Sequence, residues 1–153
     1  MTVSPVDVAR AHIEAFNDDD WERFARTLTT DAIYDEVGTS RRAEGREAIL
    51  ALFKSKKVTT PDGAGTVSSA FAADGVVVLE VTWTGTMTGA WQEATATGRS
   101  RSTRAALILR FTGEEISEAF HYFDSLALLR ELGLIAETPP PWESRAGASS
   151  GPA

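Results

Sequence analysis

The chain has 153 residues, no cysteine, two histidines and a formal net charge of −7. That length fits one domain with a sizeable core; the absence of cysteine excludes disulfides, thiolate nucleophiles and cysteine-based zinc sites, and the acidic balance argues against a nucleic-acid surface. No apolar run approaches the ~20 residues of a membrane span, and MTVSPVDVARAHIEAF lacks the basic-then-apolar order of a secretory signal. A cytoplasmic protein that acts on a small molecule, with no nucleic-acid or membrane partner, is the expectation.

In chain order, Ser4 caps and Pro5 opens a helix whose apolar stripe is Val8, His12, Ala15 and Phe16. Asn17 to Asp20 ends it, and Asp20 is placed to cap a second helix, WERFARTL. The run Asp18-Asp19-Asp20 reads as a solvated turn plus cap, because no liganding glycine or distal glutamate follows it. AIYDEVG (32–38) alternates as a strand, and EGREAILALFKSK forms a third amphipathic helix with Ile49, Leu52 and Phe53 inward. After TTPDGAG come four strands, TVSSAFAA, GVVVLEVTWTGT, SRSTRAALILRF and EISEAFHYF, punctuated by Gly75, Gly85 and Gly113. Asp124 then stands where the helix SLALLREL begins. Helices first and strands later indicate an α+β domain over 1–136, followed by a loose tail over 137–153 rich in Pro, Gly, Ser and Ala.

The period of two assigns faces. Val77, Leu79, Val81 and Trp83 share one face, as do Ala105, Leu107, Leu109 and Phe111, and as do Ala119, His121 and Phe123. In the first strand Asp35 goes with Ile33 and Val37, which leaves Glu36 on the convex side. The arginines at 99, 101 and 104 read as a solvated strand face. His121 and Asp35 are therefore the ionisable groups expected inside.

Three features together resemble the SnoaL-like polyketide cyclases, within the nuclear-transport-factor-2-like superfamily. They are FNDDDWERF followed by a strand and the GREAI helix, the segment TWTGTMTGAWQEATATGRS, and the ending I-x-E-x-x-x-Y-F-D-x-L-x-L-L-R-E-L-G. They span about residues 5 to 135. The resemblance implies a cone: a strongly curved antiparallel sheet wrapped around the helices, enclosing a deep apolar pocket, with homodimers formed through the sheet.

It also implies candidate roles. Limonene-epoxide-hydrolase-like relatives end W-R-D-Y-F-D where this chain reads A-F-H-Y-F-D, so their water-activating aspartate aligns with His121. Their Arg-x-Asp pair has no counterpart at Glu80-Val81-Thr82. Steroid-isomerase-like relatives carry a tyrosine where His12 stands, a base matching Asp35 and an oxyanion acid near Leu107. In SnoaL-like cyclases an acidic acid/base group corresponds to His121, with Asp124 as the second choice, and the frequent G-T-H-T-G reads G-T-M-T-G here, with Met87 in place of histidine.

These roles stand beside plainer ones. An imidazole of ordinary pKa, ~6.5, takes and returns a proton at working pH, yet His121 also fits a core histidine and His12 a helix histidine at the pocket rim. Asp35 fits a strand-end carboxylate, and Asp124 an N-cap. Trp83, Trp91, Tyr34 and Phe53 are candidates to line a pocket for an aromatic or polycyclic ligand, with Leu107 and Met87 at substituted family positions. The expected activity is an aldol-type cyclisation or related isomerisation of an apolar, polyketide-like substrate, using neither metal nor cofactor. An epoxide-hydrolase-like enzyme and a non-catalytic small-ligand-binding domain remain as alternatives.

Overall fold

The computed structural model describes residues 2–136, 139 and 141–143. Most of the tail expected over 137–153 lies outside them. Helix α1 (Pro5–Asn17) starts where Ser4 Oγ accepts the Asp7 amide (3.1 Å), and α2 (Trp21–Arg26) where Asp20 accepts the Arg23 amide. Strand β1 (Leu28–Glu36), a single 3₁₀ turn (Val37–Thr39), strand β2 (Arg41–Glu44) and helix α3 (Arg46–Thr59) follow. Then come β3 (Ala64–Ala73), β4 (Val76–Thr86), β5 (Ser100–Thr112), β6 (Glu115–Phe123) and α4 (Ser125–Glu131). No helix among the described residues is long and apolar enough to cross a membrane.

The strands form one curved six-stranded sheet in the order β2-β1-β6-β5-β4-β3. This is the expected α+β architecture with one correction: β1 runs parallel to β6, so the sheet is mixed and not wholly antiparallel. The short strand β2, unforeseen in the sequence, covers the outer edge of β1. Parallel pairing sets Tyr34 beside Ala119 and Glu36 beside His121. Antiparallel pairing of β5 with β6 sets Leu107 opposite His121. The inner face of the sheet thus carries Tyr34, Glu36, Leu79, Trp83, Leu107 and His121, all buried.

Helices α1 and α3 cover that face with Ile13, Phe16, Ile49 and Phe53, completing one core. Trp83 fits only because Gly65 on β3 has no side chain: a Cβ there would come within 2.7 Å of the indole. Asn17, at the end of α1, clamps this backbone by donating to Gly65 O (2.8 Å) and accepting from Gly65 N (2.7 Å). A second glycine seats the loop after β4. A Cβ on Gly89 would collide with the Val58 carbonyl, so only glycine lets the loop lie on the end of α3, where Gly89 N donates to Thr59 O. That contact brings Trp91 to the rim of the space left between sheet and helices.

Candidate functional site

That space is a cavity of about 270 Å³, near the lower end of the ~300–1,000 Å³ typical of small-ligand sites. Its walls include Phe16, Phe53, Trp83, Phe123, Leu128 and Leu132, and the charged side chains lining it are Glu36, Arg41, Lys56 and Arg101. His121 closes it from the sheet side and is 5% exposed.

The partners of His121 settle its tautomer. An indole N–H can only donate, and Trp83 Nε1 donates to His121 Nε2 at 3.1 Å. Nε2 therefore holds a lone pair, and the neutral ring carries its proton on Nδ1, which donates to Tyr34 Oη at 2.7 Å. The Tyr34 hydroxyl donates in turn to Glu36 Oε2 at 2.8 Å. Lys56 Nζ donates to Tyr34 Oη at 3.1 Å and also to Glu36 Oε2. On the other carboxylate oxygen, Glu36 Oε1 accepts from Thr39 Oγ1 (2.7 Å) and Arg41 Nε (3.0 Å). Burial alone would raise the Glu36 carboxyl. The Lys56 ammonium and the hydrogen bonds from Lys56, Arg41 and Thr39 outweigh it and hold the group well below the usual carboxylate range.

The same surroundings act on the other members of the chain. Burial, reinforced by Lys56, lowers His121 to about 3. Burial and the neighbouring Glu36 charge push the Tyr34 phenol well above its ordinary value. Burial pulls Lys56 down to about 8, against the opposing pull of Glu36; its ammonium lies over the rings of Phe53 (4.9 Å) and Tyr34 (5.2 Å). The site is a neutral imidazole joined through a phenol to an ionised carboxylate, and cations surround that carboxylate.

The structure brings together some of the residues singled out from sequence and separates others. His121, Trp83, Trp91 and Phe53 line the cavity. Tyr34 stands behind its wall and reaches His121 and Glu36 with its hydroxyl. Leu107 and Met87 are buried but do not line the cavity; Met87 packs in a separate small cluster with Leu128 and Leu132. His12 is sealed in the core, stacked on Phe24 at 4.2 Å and bonded to Thr27 Oγ1. Asp124 caps α4, accepting the Ala127 amide at 2.9 Å.

Three readings need correction. Asp35 points away from the cavity, with its side chain 30% exposed and paired to Arg42, whereas Glu36 is inward and fully buried. The inward series of β1 is Ala32, Tyr34 and Glu36. Period two allows either series, and Ile33 and Val37 made the wrong one look apolar. His121 does not titrate near its ordinary value, because burial disfavours its charged form. Arg101 is not on a solvated face: it shares parity with Thr103 and Leu107 and lines the cavity, while Arg104 is exposed on the other side.

The missed residues are thus Glu36, Arg41, Lys56 and Arg101. A signal existed for two of them. Arg101 and Arg104 lie an odd number of residues apart and cannot share a strand face. Glu36 sits two residues from Tyr34, a large side chain that itself needs burial. Nothing in the sequence places Arg41 or Lys56 beside Glu36. Among the described residues there is no group of three or more His, Asp or Glu arranged to hold a metal ion.

Solved structures share this arrangement of elements. IdmH of Streptomyces antibioticus, a proposed polyketide cyclase, is 23% identical, with a TM-score of 0.76 over 86% of this chain and 99% of its own. AclR of Streptomyces galilaeus, a proposed hydroxylase, is 21% identical, with a TM-score of 0.76 over 88% of each chain. A protein of ketosteroid isomerase-like fold from Catenulispora acidiphila, in complex with trimethylamine, is 22% identical, with a TM-score of 0.75 over 88% of this chain and 98% of its own. At such identities the likeness concerns the fold. No curated protein matches the chain in sequence. The family model for SnoaL-like polyketide cyclases matches residues 6–132, from the first helix through the last. The chain belongs to the SnoaL-like polyketide cyclase family.

Proposed function

We propose that the chain is an acid/base catalyst that closes a ring on an apolar, carbonyl-rich, polyketide-like substrate by an aldol-type step, without a cofactor. What supports this is the continuous hydrogen-bonded chain from His121 through Tyr34 to Glu36, beginning at the wall of an aromatic cavity. An aldol cyclisation removes a proton from carbon beside a carbonyl, forms a carbon–carbon bond and protonates the resulting alkoxide. The substrate's own carbonyl serves as the electron sink.

A ring lowered to about 3 is a poor place to store a proton, and Glu36, held lower still by Lys56 and Arg41, becomes a good one only as those cations turn to the enolate. The ring is a good conduit, because Nε2 takes up one proton as Nδ1 releases another. On substrate entry the Trp83 N–H gives up its hold on Nε2. The carbon-bound proton moves to Nε2, the Nδ1 proton to Tyr34 Oη and the phenolic proton to Glu36 Oε2. The charge of Glu36 passes to the enolate, and Lys56 and Arg41, which paired with the carboxylate, now stabilise the enolate. After the carbon–carbon bond forms, the relay runs backward and delivers the proton to the alkoxide, leaving every group as it began.

A second reading, a binding domain without turnover, is favoured by one observation: both nitrogens of His121 are already engaged. Hydrogen exchange separates the two. With 2-tetralone as a neutral ketone probe in D₂O, the acid/base reading expects the protein to speed deuterium uptake beside the carbonyl, and expects Tyr34→Phe and Glu36→Gln to lose that acceleration. Saturable binding of the ketone with exchange no faster than in buffer would leave only the binding domain.

A further inference from the structure

The cavity is electrically one-sided. Arg41, Lys56 and Arg101 line it, against the single carboxylate of Glu36. Glu36 is already served by Lys56 and Arg41. Arg101 is different. Among the described residues it makes no ion pair, and its side-chain hydrogen bond is a long one to Thr103 Oγ1 (3.4 Å). A guanidinium offers five N–H donors in a planar fork. Here, among the described residues, only one hydrogen bond to a protein acceptor is made, although Arg101 is half-buried in the cavity wall. The carboxylates of Glu131 and Glu36 act on it through space, without a direct ion pair. Glu131 is itself engaged, accepting the Ser102 amide at 3.0 Å.

Burial lowers the Arg101 guanidinium below its usual value, and Arg101 and Arg41 in turn help pull Lys56 down. The cations therefore repel one another across the cavity, and an incoming anion relieves that repulsion. Arg41 adds a surface suited to a flat ligand, since its guanidinium lies over the Trp91 ring at 5.5 Å. Around this basic corner stand Phe53, Trp83, Phe123, Leu128 and Leu132, which suit an apolar body.

Resting on the same site as the proposed cyclase, we propose that its substrate is a free carboxylic acid, an apolar or aromatic body ending in a carboxylate that Arg101 grips through its guanidinium fork, and not a neutral ester or ketone. A fork-to-carboxylate pair gives two parallel charge-assisted hydrogen bonds and fixes orientation. Anchored at one end by Arg101, the body of the substrate extends toward His121, where the proton is exchanged. Glu36 then has a second role: it neutralises Lys56 and Arg41, leaving Arg101 as the cation available to the ligand.

The test is a pair of probes that differ in charge and by one methyl group, 2-naphthoate and its methyl ester, titrated against the full chain by quenching of tryptophan fluorescence and by calorimetry. The wild type is expected to bind the acid about 10–100-fold more tightly than the ester, the effect of a hydrogen bond to a charged group. Arg101→Gln is expected to bring the two probes to within about threefold of each other. Arg101→Lys, which keeps the charge and loses the fork, is expected to fall between, and it keeps the test alive if the Gln variant does not fold. Equal binding of acid and ester by the wild type overturns the inference, as does an acid preference that survives Arg101→Gln. If Arg101 served only charge developing in the reaction, the probes would bind alike and the carboxylate assignment would fall. Failure of both probes to bind would remove the cavity reading itself. Exchange of 2-tetralone by the wild type reports on proton transfer separately, so the two proposals fail independently.

Discussion

The two histidines invite comparison because by most single measures they are the same. His12 is 2% exposed and His121 is 5% exposed, and burial lowers each to about 3. In each, Nδ1 meets a hydroxyl at 2.7 Å. They differ in what lies beyond the hydroxyl. Thr27 Oγ1 donates to the Phe24 carbonyl at 2.6 Å, so the hydrogen bonds from His12 end on backbone, and the ring is packed between Phe24 and Phe53. Tyr34 passes the connection from His121 to an ionised carboxylate, and His121 faces the cavity. Depressed basicity marks burial; a proton route needs a charged sink at one end and room for a substrate at the other.

The largest contrast should appear in turnover. His121→Asn is expected to lower it by about 10²–10⁴-fold, the usual contribution of a positioned proton-transfer group. His12→Asn is expected to stay within about threefold of wild type once the folded fraction is accounted for, because His12 is not itself part of the cavity wall and reaches it only through the back of Phe53. Comparable losses from the two variants would show that the distinction drawn here has no chemical meaning.

Next come the hydroxyls. Tyr34→Phe keeps the ring against Phe53 (centroids 4.9 Å apart) and deletes only the link; turnover is expected to fall about 10²–10⁴-fold, as for His121→Asn, because the relay is cut. Thr27→Val leaves the Nδ1–H of His12 unpaired in the core, so the unfolding free energy should drop by about 1–3 kcal/mol with kcat unchanged. Denaturant titration and steady-state kinetics on the same two proteins give both readings.

In a third respect the histidines should behave alike. Each is neutral in the folded chain down to about pH 3, whereas in the unfolded chain it picks up a proton below about 6.5. Their contribution to stability is therefore complete above 6.5 and is lost as the pH falls toward 3. From pH 7 to pH 5 each ring should cost about 2 kcal/mol of stability. Glu36 adds only about 0.2 kcal/mol in this interval, because its carboxyl stays ionised when folded and is only slightly protonated at pH 5 when unfolded. Replacing either histidine by Asn is expected to remove about half of the loss measured by urea unfolding at the two pH values. A loss that only one substitution reduces would mean that the other ring is already charged when folded.

These expectations rest unevenly on what the sequence discloses. His121 was legible, because β6 alternates cleanly and Ala119 and Phe123 mark its inner face. The caps at Ser4, Asp20 and Asp124 were legible for the same reason, each being local. Glu36 was only half legible: its spacing of two from Tyr34 points inward, but a glutamate reads as surface unless its partners are known, and they lie at positions 39, 41 and 56 on three other pieces of chain. The parallel pairing of β1 with β6 was equally hidden: a pattern of period two carries faces but no partner or direction. Local rules describe elements, whereas a site made of charges from distant elements becomes visible only when the fold has brought them together.

Asp124 supplies the smallest effect and a control for both histidines, being three residues from one of them and exposed. Its carboxylate accepts the Ala127 amide at 2.9 Å in the N-cap position of α4. Asn supplies the same acceptor and caps helices about as well, so Asp124→Asn should change stability by only about 0.3 kcal/mol, the part owed to the helix dipole. Asp124→Ala, which deletes the acceptor, should cost about 1 kcal/mol. Because α4 contributes Leu128 to the cavity wall, the alanine variant is the one expected to weaken ligand binding, through a frayed first turn. Neither variant should change the ratio of deuterium exchange to bound probe. If Asp124→Asn abolished exchange while leaving the melting temperature in place, the proton-transfer group would be this carboxylate, and His121 would join His12 as a residue of the core.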